Sequence, residues 1–258
     1  PFLYSFATAT YSPLSKSCHV VKYADDTSLI FPLFKKSDND HVSMEHNHLL
    51  TWSSMNDLQM NANKCKALTI RKSNVNLSVA IPILPDVQLV DKVSILGVIF
   101  NNALTWNSHI DHIVKKCSRL LFAFRMIRGC LSSSKLKLLY CSLVRSIMEY
   151  CSSVFVGLSA SDSRRLEILQ KRFHRVICSS ECHESCLPTL SDRRLILAIK
   201  FLNKIMSDTH LLHQQLPNRS LSGRFILPPR KTERRCKSFF PFTCEKYNCT
   251  IQRKALSS

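Results

Sequence analysis

Glycine, an initiator methionine and long apolar runs are scarce or missing in this sequence of 258 residues. Its 4 glycines stand beside many leucine, lysine, arginine and serine residues, and this balance favours helix. No run reaches the roughly 18 apolar residues that a membrane-spanning helix needs, so we expect no membrane association. The start, Pro1–Tyr4, has neither a methionine nor a basic segment, so we expect no signal peptide and regard the chain as part of a longer one.

Acidic residues are also few, and the imbalance lies in one part of the chain. There are 18 against 36 lysines and arginines, a formal net charge of +18. Up to residue 105 we count 9 basic and 8 acidic residues, a net +1, and the remainder holds 27 and 10, a net +17. A surface of this kind predicts a polyanionic partner, with nucleic acid the first candidate. A basic surface that is merely solvated remains the alternative.

The 12 cysteines are scattered through apolar and helical patterns and form no compact framework. We therefore predict reduced thiols in an intracellular protein of the nucleus or cytoplasm. Three cysteines and a histidine lie close together at Cys178, Cys182, His183 and Cys186. They could bind Zn²⁺, but their spacing is not that of a usual zinc knuckle, so free thiols stay an open alternative.

A pair of neighbouring aspartates lies between two apolar, β-prone runs early in the chain. The runs are Val20–Tyr23 and Thr27–Phe31, and the segment between them is Ala24-Asp25-Asp26. This pattern predicts a β-hairpin with two carboxylates at its tip. Oxygen ligands of this kind suit hard divalent cations such as Mg²⁺, although an exposed Asp-Asp turn has the same pattern.

The segment Tyr23-Ala24-Asp25-Asp26 resembles the Tyr-x-Asp-Asp motif of reverse transcriptases. The resemblance implies that Asp25 and Asp26 are catalytic ligands of Mg²⁺ or Mn²⁺ in a two-metal nucleotidyl transfer, with Asp25 the more direct ligand. It also places Tyr23 beside the nucleic acid. Such polymerases need a further aspartate from an earlier strand, and no Asp or Glu precedes Asp25.

Two later segments resemble the reverse transcriptases of non-LTR retrotransposons of the LINE and jockey type. A helix is predicted from about 39 to 57, with its histidines at the surface, and Leu58–Ile70 then matches a Leu-x-x-Asn-x-x-Lys turn before a strand at 66–71. Lys64 is the matching lysine, and either it protonates the pyrophosphate leaving group or it only contacts phosphate or caps the turn. The segment Leu96–Ile110 matches Leu-Gly-Val-x-Phe/Leu-x-x-x-Leu-x-Trp-x-x-His-Ile, with one strand predicted over 93–100.

That second segment implies a primer-grip strand, in which Leu96 and Gly97 contact the primer and Gly97 permits close backbone approach. A plain strand-turn-helix junction is the alternative. Beyond Trp106 the apolar period becomes helical and predicts four amphipathic helices, the last of them capped by Ser191. The cations expected to bind nucleic acid on these helices are Lys115, Lys116, Arg119, Arg125, Arg172 and Arg175.

The predicted fold class is α+β. A partial polymerase palm over 1–105, made of a β-hairpin, a helix and a small antiparallel sheet, precedes a basic thumb-like helical bundle over 106–206. A basic, poorly ordered tail is predicted over 207–258. With this resemblance, the chain is expected to be a fragment of an RNA-directed DNA polymerase whose partners are an RNA template, a DNA primer and dNTP. It would be inactive without an upstream half. A noncatalytic nucleic-acid-binding helical module and a decayed remnant are the alternatives.

Overall fold

The computed structural model describes residues 8–33, 38–70, 82–178, 187–227, 229 and 232–255, with side chains only as far as residue 250. Helices and short strands both occur, so the expectation of a mixed α and β fold is confirmed. The chain divides into two compact units, residues 1–93 and 94–258. The division falls before the predicted boundary at residue 105, and each unit is described by itself.

The first unit begins with the predicted hairpin. Strand β1 (His19–Tyr23) pairs antiparallel with β2 (Asp26–Ile30), and Ala24 and Asp25 form the two-residue turn. Because side chains alternate along a strand, Val20 and Lys22 share one face of the hairpin. Val21 and Tyr23 lie on the opposite face, where they are 55% and 66% exposed.

Helix α1 (Asp38–Met55) confirms the helix predicted from about 39 to 57. A turn of 3-10 helix (Ala62–Lys64) leads into β3 (Lys66–Leu68), which pairs with β4 (Gln88–Val90). This pair is parallel, so the prediction of a small antiparallel sheet is wrong at this point. Parallel neighbours require a long connection, which residues 69–87 provide. The loose apolar alternation of residues 75–90 predicts edge strands and a loop, and the part of that prediction over 75–81 lies outside the described residues.

The single strand predicted over 93–100 is instead two strands, β5 (Lys92–Ile95) and β6 (Val98–Asn101), joined at Leu96 and Gly97. Both turn residues have positive φ, +48° and +80°. Positive φ at both central residues matches the twist of the two strands in a tight hairpin, and glycine adopts it without strain. The turn was not predicted because Leu96 and Gly97 lie within the apolar run of residues 93–100.

Among the described residues between Trp106 and Met206 there are four helical segments, as predicted. Helix α2 (Asn107–Ile127) is followed by α3 (Ser133–Leu139), a π-helical stretch (Tyr140–Arg145) and the short α4 (Ser146–Glu149). Helix α5 (Ala160–Ile177) and helix α6 (Leu190–Ile205) complete the set. The cap of α6 was predicted wrongly: the Thr189 side chain, not that of Ser191, accepts the helical N–H, that of Asp192.

One apolar core joins α2, the α3–α4 segment and α5. Its fully enclosed side chains include Ile110, Tyr140, Phe155, Leu166 and Phe173. The predicted core positions of α5 are all buried, whereas Leu143 in the π-helical stretch is 49% exposed. The π-helix changes the rotation per residue, so the core face follows Leu136, Tyr140, Val144 and Met148 instead.

The poorly ordered tail predicted over 207–258 is wrong for much of its length. A 17-residue helix, α8 (Phe239–Ala255), follows the short α7 (Glu233–Cys236). A second buried cluster contains Leu202 of α6, Phe225 and Cys244 of α8. Gly157 meets the backbone before α8 so closely that an added Cβ would lie 2.2 Å from the carbonyl oxygen of Lys237. This absence of a side chain lets the C-terminal segment pack against the helical core.

Candidate metal-binding hairpin and nucleic-acid interface

The tip of the β1–β2 hairpin places the predicted site residues Tyr23, Asp25 and Asp26 together. Asp25 occupies the turn, and Asp26 is the first residue of β2, directly opposite Tyr23 in the register. Ala24, before them, has a φ of +50°. Both carboxylates are exposed, and neither has a hydrogen-bond or ion-pair partner among the described residues. They are therefore open to a cation or to solvent.

Lys22 anchors the other face of this hairpin. Its Nζ donates to the carbonyl oxygens of Thr8, at 2.5 Å, and of Tyr11, at 3.3 Å. The ammonium also lies 5.1 Å from the ring centroid of Tyr11 and 5.8 Å from that of Trp52. Burial lowers the pKa of Lys22. The hairpin that carries Asp25 and Asp26 is thus fastened, through β1, to the preceding loop and to α1.

A buried carboxylate holds that loop in turn. Glu45 of α1 is only 1% exposed and accepts from the Tyr11 hydroxyl at 3.2 Å. It also accepts the backbone N–H groups of Leu14, at 3.0 Å, and Ser15, at 3.2 Å. A buried charge is stable only with several donors of this kind. Burial raises the pKa of Tyr11, with Glu45 the next cause, so its hydroxyl stays protonated and donating.

The prediction that the histidines of α1 lie at the surface is wrong for His46. His46 is buried, and burial lowers its pKa. His48 stacks on Tyr11 with ring centroids 5.5 Å apart. The His48 ring packs α1 against the loop, and burial favours the neutral form of His46.

Lys64 ends the 3-10 helix whose first cap is the Asn61 side chain, which accepts the N–H of Asn63 at 3.1 Å. Its side chain is exposed and has no ion-pair partner among the described residues. The backbone position predicted for it, a turn delivering the chain into a strand, is the one observed. No contact with Asp25 or Asp26 is present among the described residues, so its catalytic role stays a prediction.

The segment Leu96–Ile110 forms a hairpin-to-helix corner. Leu96 and Gly97 are the turn, and the Leu96 carbonyl accepts from the Tyr150 hydroxyl at 2.9 Å. Asn101 closes the corner: its Oδ1 accepts the Thr105 N–H and its Nδ2 donates to the Thr105 hydroxyl, both at 2.8 Å. The prediction that Leu96 and Gly97 belong to a primer-grip strand is therefore wrong as to the strand, since both residues lie in an exposed turn.

Two aromatic residues of the same segment have packing roles. Trp106 contacts the rings of Phe100 and Phe155, with centroids 5.6 Å and 6.0 Å away. His109 is 3% exposed, and its Nδ1 accepts the Ile99 N–H at 3.4 Å. Burial, and the nearby His112, lower the pKa of His109. The spacing between Trp106 and His109 is thus explained by how α2 packs on β6.

The predicted cations of α2 point away from the core. Residues at positions i, i+4, i+7 and i+11 lie on one face of a helix. On the face opposite the core they are Lys115, Arg119, Phe122 and Met126, which we call the outer stripe. Lys116 and Arg125 lie on either side of that stripe. None of the four predicted cations has an ion-pair partner among the described residues.

Helices α2 and α5 run parallel. The Asp111–Arg165 ion pair, 2.5 Å long, joins their N-terminal halves, and the rings of Phe124 and Phe173 meet further along, with centroids 5.2 Å apart. Arg172 lies two turns after Arg165 on the same side of α5. By the same argument, Arg125 lies on the same side of α2 as Asp111. Arg125 and Arg172 therefore both border the seam between the helices, on the side of the Asp111–Arg165 ion pair.

The six predicted cations therefore do not form one cluster. Arg125 and Arg172 share the seam, whereas Arg175 lies with Arg164 and Lys171 on the face of α5 opposite the core. Phe122, which is 67% exposed, was absent from the predicted site. The signal for it was present in the sequence, because Phe122 falls outside the apolar face of α2 and three residues from both Arg119 and Arg125.

Metal sites built from side chains within the second unit are not evident. Among the described residues, no three His, Cys, Asp or Glu side chains are grouped so as to hold a metal ion. Cys182, His183 and Cys186 lie outside the described residues, so the zinc interpretation stays a prediction. Across the described helices, none combines the length and the apolar character needed to cross a bilayer.

Comparison with known proteins adds no identification. Searches against protein-family models, curated proteins and solved structures found no significant match for this chain. The assignment of function therefore rests on the chemistry of the hairpin and of the basic helices.

Proposed function

We propose that this chain is part of an RNA-directed DNA polymerase of the non-LTR retrotransposon type. Its first unit would supply part of the palm and its basic helical unit a thumb-like region that binds the RNA template and DNA primer. The observation that carries the proposal is the hairpin tip, where Tyr23, Asp25 and Asp26 lie together with both carboxylates exposed. An apolar strand run on each side, and the half-buried Lys22 that anchors the hairpin behind it, distinguish this tip from an ordinary polar turn.

The chemistry proposed for the hairpin needs more carboxylates than the described residues supply. Two divalent metals, Mg²⁺ or Mn²⁺, would supply the electrostatic stabilisation of the attacking and leaving oxygens during transfer from dNTP. Asp25 and Asp26 would hold them from the hairpin, and carboxylates from another strand would complete the set. Lys64 is the proposed donor of a proton to pyrophosphate, a step that is typically accelerated by roughly 10²–10⁴-fold by a positioned acid.

Manganese binding tests the hairpin as a metal site. We expect Mn²⁺ to broaden the amide NMR signals of Ala24, Asp25 and Asp26 first, with weak affinity because only two carboxylates are present. The Asp25→Asn variant keeps the shape, removes the charge and should abolish this broadening. Asp57→Asn is the matched control, since Asp57 is an exposed turn residue with a φ of +54°. Equal broadening in Asp25→Asn would refute the hairpin as the metal site.

A second candidate function is a noncatalytic nucleic-acid-binding module made by residues 94–258. The cations of α2 and α5 that have no ion-pair partner in the described part of the chain favour it, because they need no metal or active site to attract phosphates. If five phosphates are contacted, the log–log salt slope of duplex affinity should be about −4.5. Arg125→Ala and Arg172→Ala should each flatten that slope by about 0.9, and Lys200→Ala on α6, an exposed lysine, is the control.

The two candidates separate in one respect. Polymerase identity requires the hairpin to bind metal, whereas the module requires only salt-sensitive binding by the helices. Either of two results would contradict both accounts of the helical unit. One is a duplex affinity that does not depend on salt, and the other is the same salt slope in wild type, Arg125→Ala and Arg172→Ala. In both cases these arginines would be only a solvated surface.

A further inference from the structure

The outer stripe of α2 combines cations with exposed apolar side chains. Phe122 is 67% exposed and Met126 is 69% exposed, one helical turn apart. Lys115 and Arg119 precede them on the same face. A single exposed apolar residue needs no explanation, but a phenyl ring and a thioether adjoining unpaired cations form a mixed surface. That mixture restricts which partner fits.

The charge around the stripe has one sign. The only acidic residue of α2 is Asp111, and Arg165 neutralises it. Arg125 lies beside the stripe and has no ion-pair partner among the described residues. An apolar protein partner would have to supply its own acids to four cations, whereas a nucleic acid supplies both phosphates and flat apolar surfaces.

The exposed ring points to unpaired bases rather than to a duplex. In a duplex the faces of the bases are covered by their neighbours, and reaching one costs unstacking energy. In a single strand each base presents a face on which an aromatic side chain can stack, worth about 1–3 kcal/mol per base. Lys115 to Arg125 spans about 15 Å of helix at 1.5 Å per residue. At roughly 3.4 Å per stacked nucleotide, that length matches about four phosphates.

We propose that the outer stripe binds single-stranded nucleic acid, with Phe122 stacked on a base and Lys115, Arg119 and Arg125 contacting the phosphates on either side. This inference rests on the nucleic-acid binding proposed above. It adds that the ligand is single-stranded and that Phe122 is the residue that recognises an unpaired base. Met126 would cover the edge of the same base. Duplex DNA or RNA would use the cations alone.

The test compares a labelled dT12 strand with a labelled 12-base-pair duplex, using the full chain and fluorescence anisotropy. We expect Phe122→Ala to weaken dT12 binding by about 5- to 150-fold, as 1–3 kcal/mol implies, and duplex binding by less than about 2-fold. Phe122→Trp should retain or strengthen dT12 binding, and Phe122→Leu should resemble Phe122→Ala because leucine has no π-face. Leu138→Ala, at an exposed leucine of α3, is the control.

The salt slope separates failure of this inference from failure of the proposed binding. Phe122→Ala should leave the dT12 slope unchanged, because the ring contacts no phosphate. Suppose that the wild type shows a steep salt slope. If Phe122→Ala then has the wild-type affinity for dT12, or loses the same affinity for dT12 and for the duplex, the stacking assignment is overturned while phosphate binding stands. A concentration-dependent dimer that Phe122→Ala abolishes would instead assign the stripe to a second copy of the chain. Circular dichroism of each variant verifies folding.

Discussion

Lys22 is expected to control the order of the hairpin that carries Asp25 and Asp26. Its ammonium is the donor shared by the Thr8 and Tyr11 carbonyls and faces the rings of Tyr11 and Trp52. Lys22→Met keeps the unbranched stem and removes the charge. A hydrogen bond from a charged donor contributes about 1.5–3 kcal/mol, and a partly exposed cation–π contact about 0.5–1 kcal/mol. We expect a local loss of about 2–4 kcal/mol.

Hydrogen exchange of the hairpin measures that loss directly. A change of 2–4 kcal/mol corresponds to opening that is roughly 30- to 1,000-fold more frequent, so the β1 and β2 amides of the Lys22→Met variant should exchange faster by that factor. Lys16→Met is the matched control, because Lys16 is exposed in the loop before β1. Hairpin exchange at the wild-type rate in Lys22→Met would refute the reasoning, as would equal acceleration in Lys16→Met.

Two further predictions concern the helical unit. Tyr140→Phe removes the buried hydroxyl that donates to Gln170 Oε1 at 2.7 Å, so urea unfolding should show a loss of about 1–3 kcal/mol. Tyr150→Phe also removes a hydroxyl that donates, to the Leu96 carbonyl, but at a residue 51% exposed, where water replaces the donor, so its loss should be about 0.5 kcal/mol or less. Equal losses would contradict the argument. Because burial lowers the pKa of His109, folding favours its neutral form, and the unfolding free energy should fall as the pH drops below 6.5. Urea titrations at several pH values should show a smaller fall in the unfolding free energy of His109→Gln than in that of the wild type. A fall of the same size in both would refute this prediction.

Where the sequence carried a strong period, it predicted the structure well. The two apolar, β-prone runs on either side of Ala24 to Asp26 predicted the hairpin, and the apolar spacing of α2 and α5 predicted their buried faces. Both signals are local, since each is set by neighbours within a few turns or along one strand. The exposed positions of Asp25 and of the cations followed from the same patterns.

The misses arose where distant contacts or turn geometry decided the structure. The turn at Leu96-Gly97 lies inside an apolar run, so periodicity suggested one strand. Helix α8 owes its place to packing on Leu202 and Phe225, which are remote in sequence. Nothing in the local sequence pattern marks Glu45 as buried, and its burial is explained by the loop at Leu14 and Ser15, whose N–H groups it accepts.

Primer extension on an RNA template, with Mg²⁺ and Mn²⁺ each tried, tests the central claim most directly. We predict no extension by the 258-residue chain alone, because one hairpin's carboxylates cannot hold two metals, and extension when the chain is joined at its N-terminus to a polymerase segment that supplies the further aspartate strand. In that joined protein Asp25→Asn should abolish synthesis and Asp57→Asn should not. Robust extension by the chain alone, or wild-type activity in Asp25→Asn, would contradict the assignment of the hairpin as the polymerase metal site.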